Sequence, residues 1–159
     1  MPRAHIDFEP GQSNPPNPRL RIGWLCDGSP HLETVAAKFA SWLERFDLAA
    51  ALGTADGSGL HAFARSLYRC DVVVGEDTWP THLAALLGIP VLMVLPRRAD
   101  WLWGMNAGPT PWYPTMELLR ENDEGWTAAL ARLDTLLGRA SSVESWREAP
   151  PTRWEPGQP

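Results

Sequence analysis

Two hydrophobic patterns alternate along the chain. Leu20-Arg21-Ile22-Gly23-Trp24-Leu25-Cys26, Cys70-Asp71-Val72-Val73-Val74-Gly75 and Val91-Leu92-Met93-Val94-Leu95 are short, nearly continuous apolar runs. Such runs, bounded by turn residues, predict strands buried on both faces. Between them, apolar residues recur every three or four positions. Leu32, Val35, Ala36, Phe39, Leu43 and Phe46 share one helical face, as do Leu60, Phe63, Ala64 and Leu67. Residues 81–87 predict a short helix closed by Gly88-Ile89-Pro90. Residues 124–137 predict a longer one, with Trp126, Leu130, Leu133 and Leu137 inward and Gly138 as its stop. Residues 48–52 and 116–119 predict two further strands, and the glycine-containing stretch 53–59 a loop.

Buried strands separated by amphipathic helices predict an α/β fold, an open, doubly wound, Rossmann-like parallel sheet of four to six strands with helices on both faces. The right-handed crossover rule puts the runs at 72–74 and 91–95 side by side and parallel at its centre. Ligands of such sheets sit outside the carboxyl ends of the strands. The loops that matter are therefore 27–30, 53–59, 75–80 and 96–100.

Proline sets the domain limits. Of 16 prolines in 159 residues, five fall in residues 1–18 and four in residues 150–159. Proline fits neither a helix interior nor a central strand. The expected organisation is a Pro-rich arm at 1–19, one domain at 20–138 and a tail at 139–159 that contains Trp146 and Trp154. Residue content, 44% hydrophobic and 21% charged, is that of a globular domain. A net charge of −5, with Arg97-Arg98 as the main basic pair, argues against nucleic acid and against an anionic membrane surface. No signal-peptide pattern and no membrane-length apolar run is visible, so a cytoplasmic location is expected. Cys26 and Cys70 read as free thiols rather than a disulfide. The four histidines are scattered in sequence, which gives no metal-ligand spacing.

The most informative stretch is Gly75-Glu76-Asp77-Thr78-Trp79-Pro80-Thr81-His82, running on into Leu87-Gly88-Ile89-Pro90. Two others follow it: Pro96-Arg97-Arg98-Ala99-Asp100-Trp101-Leu102-Trp103 and Thr110-Pro111-Trp112-Tyr113-Pro114-Thr115-Met116. In order and spacing these resemble the signature of the heptosyltransferase-like glycosyltransferases, glycosyltransferase family 9. The closer likeness is to the glycosyltransferase-like domain often found after tetratricopeptide repeats. That resemblance implies the C-terminal, nucleotide-sugar-binding half of a two-domain GT-B enzyme, with a nucleotide-diphosphate sugar as ligand and no other cofactor. It also implies ligand contacts at Asp77, Thr78, His82, Trp101 and Trp103.

Physical chemistry supports the same stretch independently. A helix N-terminus carries unpaired N–H groups and partial positive charge, which suit a phosphate. Thr78 can cap the helix, Pro80 is tolerated in its first turn, and His82 can point back toward a bound anion. Asp77 and Thr78 could equally serve as helix caps alone. The expectation is that Thr78, His82 and the amides after Asp77 line a concave pocket, with Trp101 or Trp103 in its wall. Trp79 filling that space would remove the support.

Two departures from the family pattern stand out. The first loop offers Asp27 where relatives tend to carry Lys or Arg, and the chain has no room for an acceptor-binding half. These yield two functional expectations. One is a nucleotide-sugar-binding domain, inactive alone and with no catalytic residue assigned. The other is a non-catalytic interaction or scaffolding subunit. In either case the Trp-rich loops and the tail are candidate contacts for a protein partner or a second copy, since large flat side chains give much contact area at low entropic cost.

Overall fold

The computed structural model of the chain describes residues 20–26, 34, 35, 37, 47–49 and 59–138. The expectations for loops 27–30 and 53–58, the arm and the tail lie outside the described residues. Six strands form a single sheet: β1 (Arg21–Leu25), β2 (Asp47–Ala49), β3 (Val72–Gly75), β4 (Val91–Leu95), β5 (Gly108–Pro109) and β6 (Met116–Arg120). The helices are α1 (Gly59–Leu67), α2 (Trp79–Leu86) and α3 (Thr127–Gly138), with one 3-10 turn at Trp101–Trp103. Residues 34, 35 and 37 are also helical.

Strand order across the sheet is β2-β1-β3-β4-β6-β5. β3 and β4 pair in parallel at the centre, with Val73 opposite Val91 and Val74 opposite Leu92. The expected adjacency and direction of these two runs are therefore observed. The short edge strand β5 runs antiparallel to β6, a departure from a purely parallel sheet. A two-residue strand returning beside its neighbour needs no helical crossover, and no hydrophobic pattern announces it.

Alternation of side chains along each strand splits the core into two layers. Ile22, Val72, Val74, Leu92, Val94 and Leu119 face Val35 and the α3 residues Ala129, Leu133, Leu136 and Leu137. Val73, Val91, Met93, Leu95, Met116 and Leu118 face Leu67 of α1 and Ala84 and Ala85 of α2. Both faces are covered, as continuous apolar strands require. Trp126 is buried with the α3 layer but precedes that helix, so the helix begins three residues later than its apolar spacing suggests. Glu117 is the polar exception in this layer: it is 2% exposed, and Arg132 of α3 reaches it with Nε 2.7 Å from Oε1 and Nη2 3.2 Å from Oε2.

Two glycines fix the approach to the carboxyl edge. Gly75 ends β3, where a Cβ would collide with the Thr81 hydroxyl of α2 and lie 3.1 Å from the Leu25 Cβ. Its bare Cα lets the helix sit close against the strand it follows. Gly88 ends α2 at φ 77°, with its N–H on Ala85 O and that of Ile89 on Ala84 O. This is a Schellman closure, which only a residue at ease with positive φ completes cheaply.

Candidate functional site

Strand order reverses around β1: β2 lies on one side, and β3, β4 and β6 extend on the other. The carboxyl end of β3 is thus beside the switch point at which open sheets bind ligands. The chain leaves β3 through Glu76, Asp77 and Thr78 before α2 begins at Trp79. Thr78 occupies the N-cap position with extended backbone, φ −132° and ψ 157°, yet its side chain makes no capping bond. Its hydroxyl lies 3.5 Å from that of Thr81 instead. Thr78 N–H donates to Glu76 O, and the N–H groups of Thr81 and His82 donate to Thr78 O. Pro80 has no N–H to offer.

Asp77 does not cap the helix either. Its Oδ1 is 2.9 Å from His82 Nε2, and its Oδ2 accepts from Trp103 Nε1 at 2.7 Å. His82 Nδ1 lies 2.8 Å from the Tyr113 hydroxyl. The His82 and Trp103 ring centroids are 5.5 Å apart, and the Tyr113 ring meets His82 edge-on at the same distance. Asp77 and His82 together therefore join three separate stretches: Asp77 ties the β3–α2 loop to α2 and to the 3-10 turn after β4, and His82 adds the segment before β6.

The turn that carries Trp103 is held from both sides. Asp100 Oδ1 accepts from Leu102 N–H at 3.0 Å, and Trp112 Nε1 donates to Leu102 O at 2.8 Å. From the end of β6, Arg120 Nη2 donates to the carbonyls of Trp103 and Gly104 at 3.3 and 3.0 Å. Arg120 Nε is buried without a hydrogen-bond partner, and burial lowers the guanidinium pKa. Burial also raises the Tyr113 pKa above its ordinary value, with the Asp77 charge as the second cause. Both effects disfavour a phenolate, so Tyr113 enters any chemistry as a neutral phenol.

The five expected contact residues fare differently. Asp77 and His82 are joined and remain partly open to solvent, their side chains 34% and 26% exposed. Thr78 stands at the helix start beside them. Trp103 is 4% exposed and spends its N–H on Asp77, whereas Trp101 is 84% exposed. Trp79 does not stack on His82: it packs on Phe63 of α1 at a centroid distance of 5.2 Å and is 60% exposed. Among the described residues no cluster of His, Cys, Asp and Glu could hold a metal ion, and no helix is long and apolar enough to cross a membrane. Both cysteines are free thiols, Cys70 buried and Cys26 half-buried.

No protein-family model matches the chain. A comparison with curated proteins likewise finds no match.

Tyr113 and Arg120 are the members that spacing alone did not assign. Tyr113 stands in the Pro-Trp-Tyr-Pro stretch among other aromatics, and nothing local distinguishes a phenol that meets a histidine from one that packs. Arg120 follows an apolar strand and reads as a solvated end.

Proposed function

We propose that this domain binds a nucleotide-diphosphate sugar at the carboxyl edge of its sheet, as the donor-binding half of a GT-B glycosyltransferase does. The observation that carries the reading is convergence on the Asp77–His82 pair. All three stretches that resemble the glycosyltransferase signature contribute a side chain to one hydrogen-bonded cluster, and its Asp77 stands just past the carboxyl end of β3, where parallel sheets bind ligands. The N–H groups of Asp77 and Trp79 make no bond to any described residue, and Arg98 stands exposed in the loop after β4. Both supply donors for phosphate oxygens. Exposed Trp101 offers a flat face for a sugar ring or a base.

The domain binds a donor but transfers no sugar alone. Transfer requires an acceptor hydroxyl oriented against the donor with a base in reach. One edge of one sheet provides neither the orientation nor the exclusion of water. Acceptor binding then falls to another module or another chain, in a cytoplasmic setting that suits two free thiols.

A second reading is a non-catalytic interaction or scaffolding domain descended from the same fold. Its support is that both ring nitrogens of His82 are engaged within the protein, while Trp79, Trp101, Met105 and Trp112 are exposed. A thermal-shift screen with uridine, adenosine and guanosine diphosphates and their sugars separates the two. Ligand at a hundred times its Kd stabilises by about 2.7 kcal/mol. A rise in Tm that Asp77→Ala removes supports the donor-binding reading, and no rise with any of them supports the scaffolding one. Sugar transfer by the purified chain, lost in His82→Ala, would refute the claim that the domain is inactive alone.

A further inference from the structure

The hydrogen bonds around His82 select which ring nitrogen carries the proton when the imidazole is neutral. An ionised carboxylate only accepts and an indole only donates. Asp77 therefore takes its two bonds from Trp103 Nε1–H and His82 Nε2–H. A neutral imidazole has a single N–H, and Asp77 claims it. Nδ1 is left bare, so across the 2.8 Å contact Tyr113 must be the donor. The only proton of the phenol is then spent inside the protein.

Adding one proton to His82 changes this. In the imidazolium both ring nitrogens donate, and the Tyr113 oxygen becomes the acceptor of Nδ1–H. Its own O–H is released without any heavy atom having to move. We propose that Tyr113 is a ligand-contacting residue of this site, and that a single proton on His82 decides whether its hydroxyl is held by the imidazole or offered to an oxyanion beside the first turn of α2. The ligand half of this inference rests on the nucleotide-binding reading; the tautomer half does not.

The surroundings suit such a device. Tyr113 is half-buried, and the conditions that oppose its ionisation keep its proton in place at pH values where imidazoles titrate. The ring of His82 lies against Trp103 and Tyr113. The charged groups around it are Asp77, bonded to the ring, and Glu76, buried beside Asp77 in the loop. Behind the Trp103 turn stand Asp100 and Arg120, which hold its backbone. At the start of α2, the N-cap Thr78 and Thr81 of the first turn contribute only neutral hydroxyls. A phosphate oxygen that accepts from Tyr113 competes with the bare Nδ1 of a neutral ring and loses that competitor when the ring is protonated, so ligand and proton favour each other's uptake. Affinity then rises as pH falls, by at most about tenfold per unit, the slope of a single linked proton.

Long-range proton–nitrogen spectra of the uniformly labelled chain, recorded between about pH 5 and 9, read the tautomer without a ligand. His82→Asn identifies the resonances. The expected result is a bare Nδ1 and protonated Nε2 at high pH, with the Nδ1 resonance displaced in Tyr113→Phe. A proton on Nδ1 of the neutral ring would overturn the inference. In parallel, binding of uridine diphosphate and of inorganic phosphate is titrated across the same range. Affinity in the native chain should climb toward low pH, and Tyr113→Phe should lose that slope. Binding without a pH slope overturns the inference even if the tautomer is as expected. Absence of binding at every pH refutes the nucleotide-binding reading, and the spectra then decide whether the His82 proton reverses the Tyr113 bond.

Discussion

Glu117 is a carboxylate at 2% exposure inside the α3 layer, flanked on its own strand by Leu119 and on the neighbouring strand by Leu92. Its cation, Arg132, is 44% exposed. Replacing Arg132 by Met keeps most of the aliphatic stem and removes the charge, leaving a buried carboxylate without its partner. Stranding one partner of a fully buried pair costs about 3–5 kcal/mol. Water already reaches the arginine side here, so the lower part of the scale applies, about 2–3 kcal/mol. The double variant Glu117→Leu/Arg132→Met removes both charges and should return to within about 1 kcal/mol of the native chain, because an apolar pair of similar volume replaces a buried ion pair at little loss. Urea denaturation followed by circular dichroism measures both. With a slope of about 1–3 kcal/mol per molar, the single variant should shift its midpoint by roughly 1 M or more, and the double variant by much less. A single variant within about 0.5 kcal/mol of native, close to the scatter expected of independent sites, would refute the reasoning. A double variant as unstable as the single one would refute it equally.

Gly75→Ala should cost about 1–3 kcal/mol through the forced collision with Thr81, and adding Thr81→Ala should recover part of it; denaturant midpoints for the pair check this. Asp77→Asn leaves one of two N–H donors facing an amide, so about 1–3 kcal/mol of stability should be lost and the Trp103 indole proton resonance should move. An unchanged indole resonance would contradict the bond. Cys70 is held with its pKa pushed from the ordinary 9.0 to about 12, chiefly by burial and then by Asp71, against a smaller opposing effect of Arg21. In the folded chain it should resist iodoacetamide at pH 8 and react only on unfolding. The sign follows from the raised value. The unfolded thiol releases its proton first, so stability is intact below the ordinary value and declines as pH climbs toward the folded one, which denaturation between pH 8 and 11 would show.

The residue pattern alone determined the layered architecture. Three valines in a row at 72–74 and five apolar residues at 91–95 can be buried only by cover on both faces. A short helix between them leaves only a parallel pairing, and the sheet has it. Gly88 before Ile89-Pro90 marked the end of α2 because the closure there needs positive φ. Spacing also put His82 in the first helical turn, where a side chain leans back toward the loop it follows, but that it meets Asp77 there rather than a bound anion is seen only in the structure. What spacing could not decide was how those groups are used. Thr78 has the residue type and position of a cap and makes no capping bond, because its hydroxyl turns to Thr81. Trp101 and Trp103 are two positions apart in one motif, yet one is 84% exposed and the other 4%. A 3-10 turn sends them in different directions, and only Trp103 finds a carboxylate. The partnerships of Asp77 with Trp103, His82 with Tyr113 and Glu117 with Arg132 join residues that are 26, 31 and 15 positions apart. Local propensity acts over one turn of helix or one pair of strands. Pairings at these separations exist only after the sheet has brought its strands, helices and connecting segments together, so tertiary structure alone decided them.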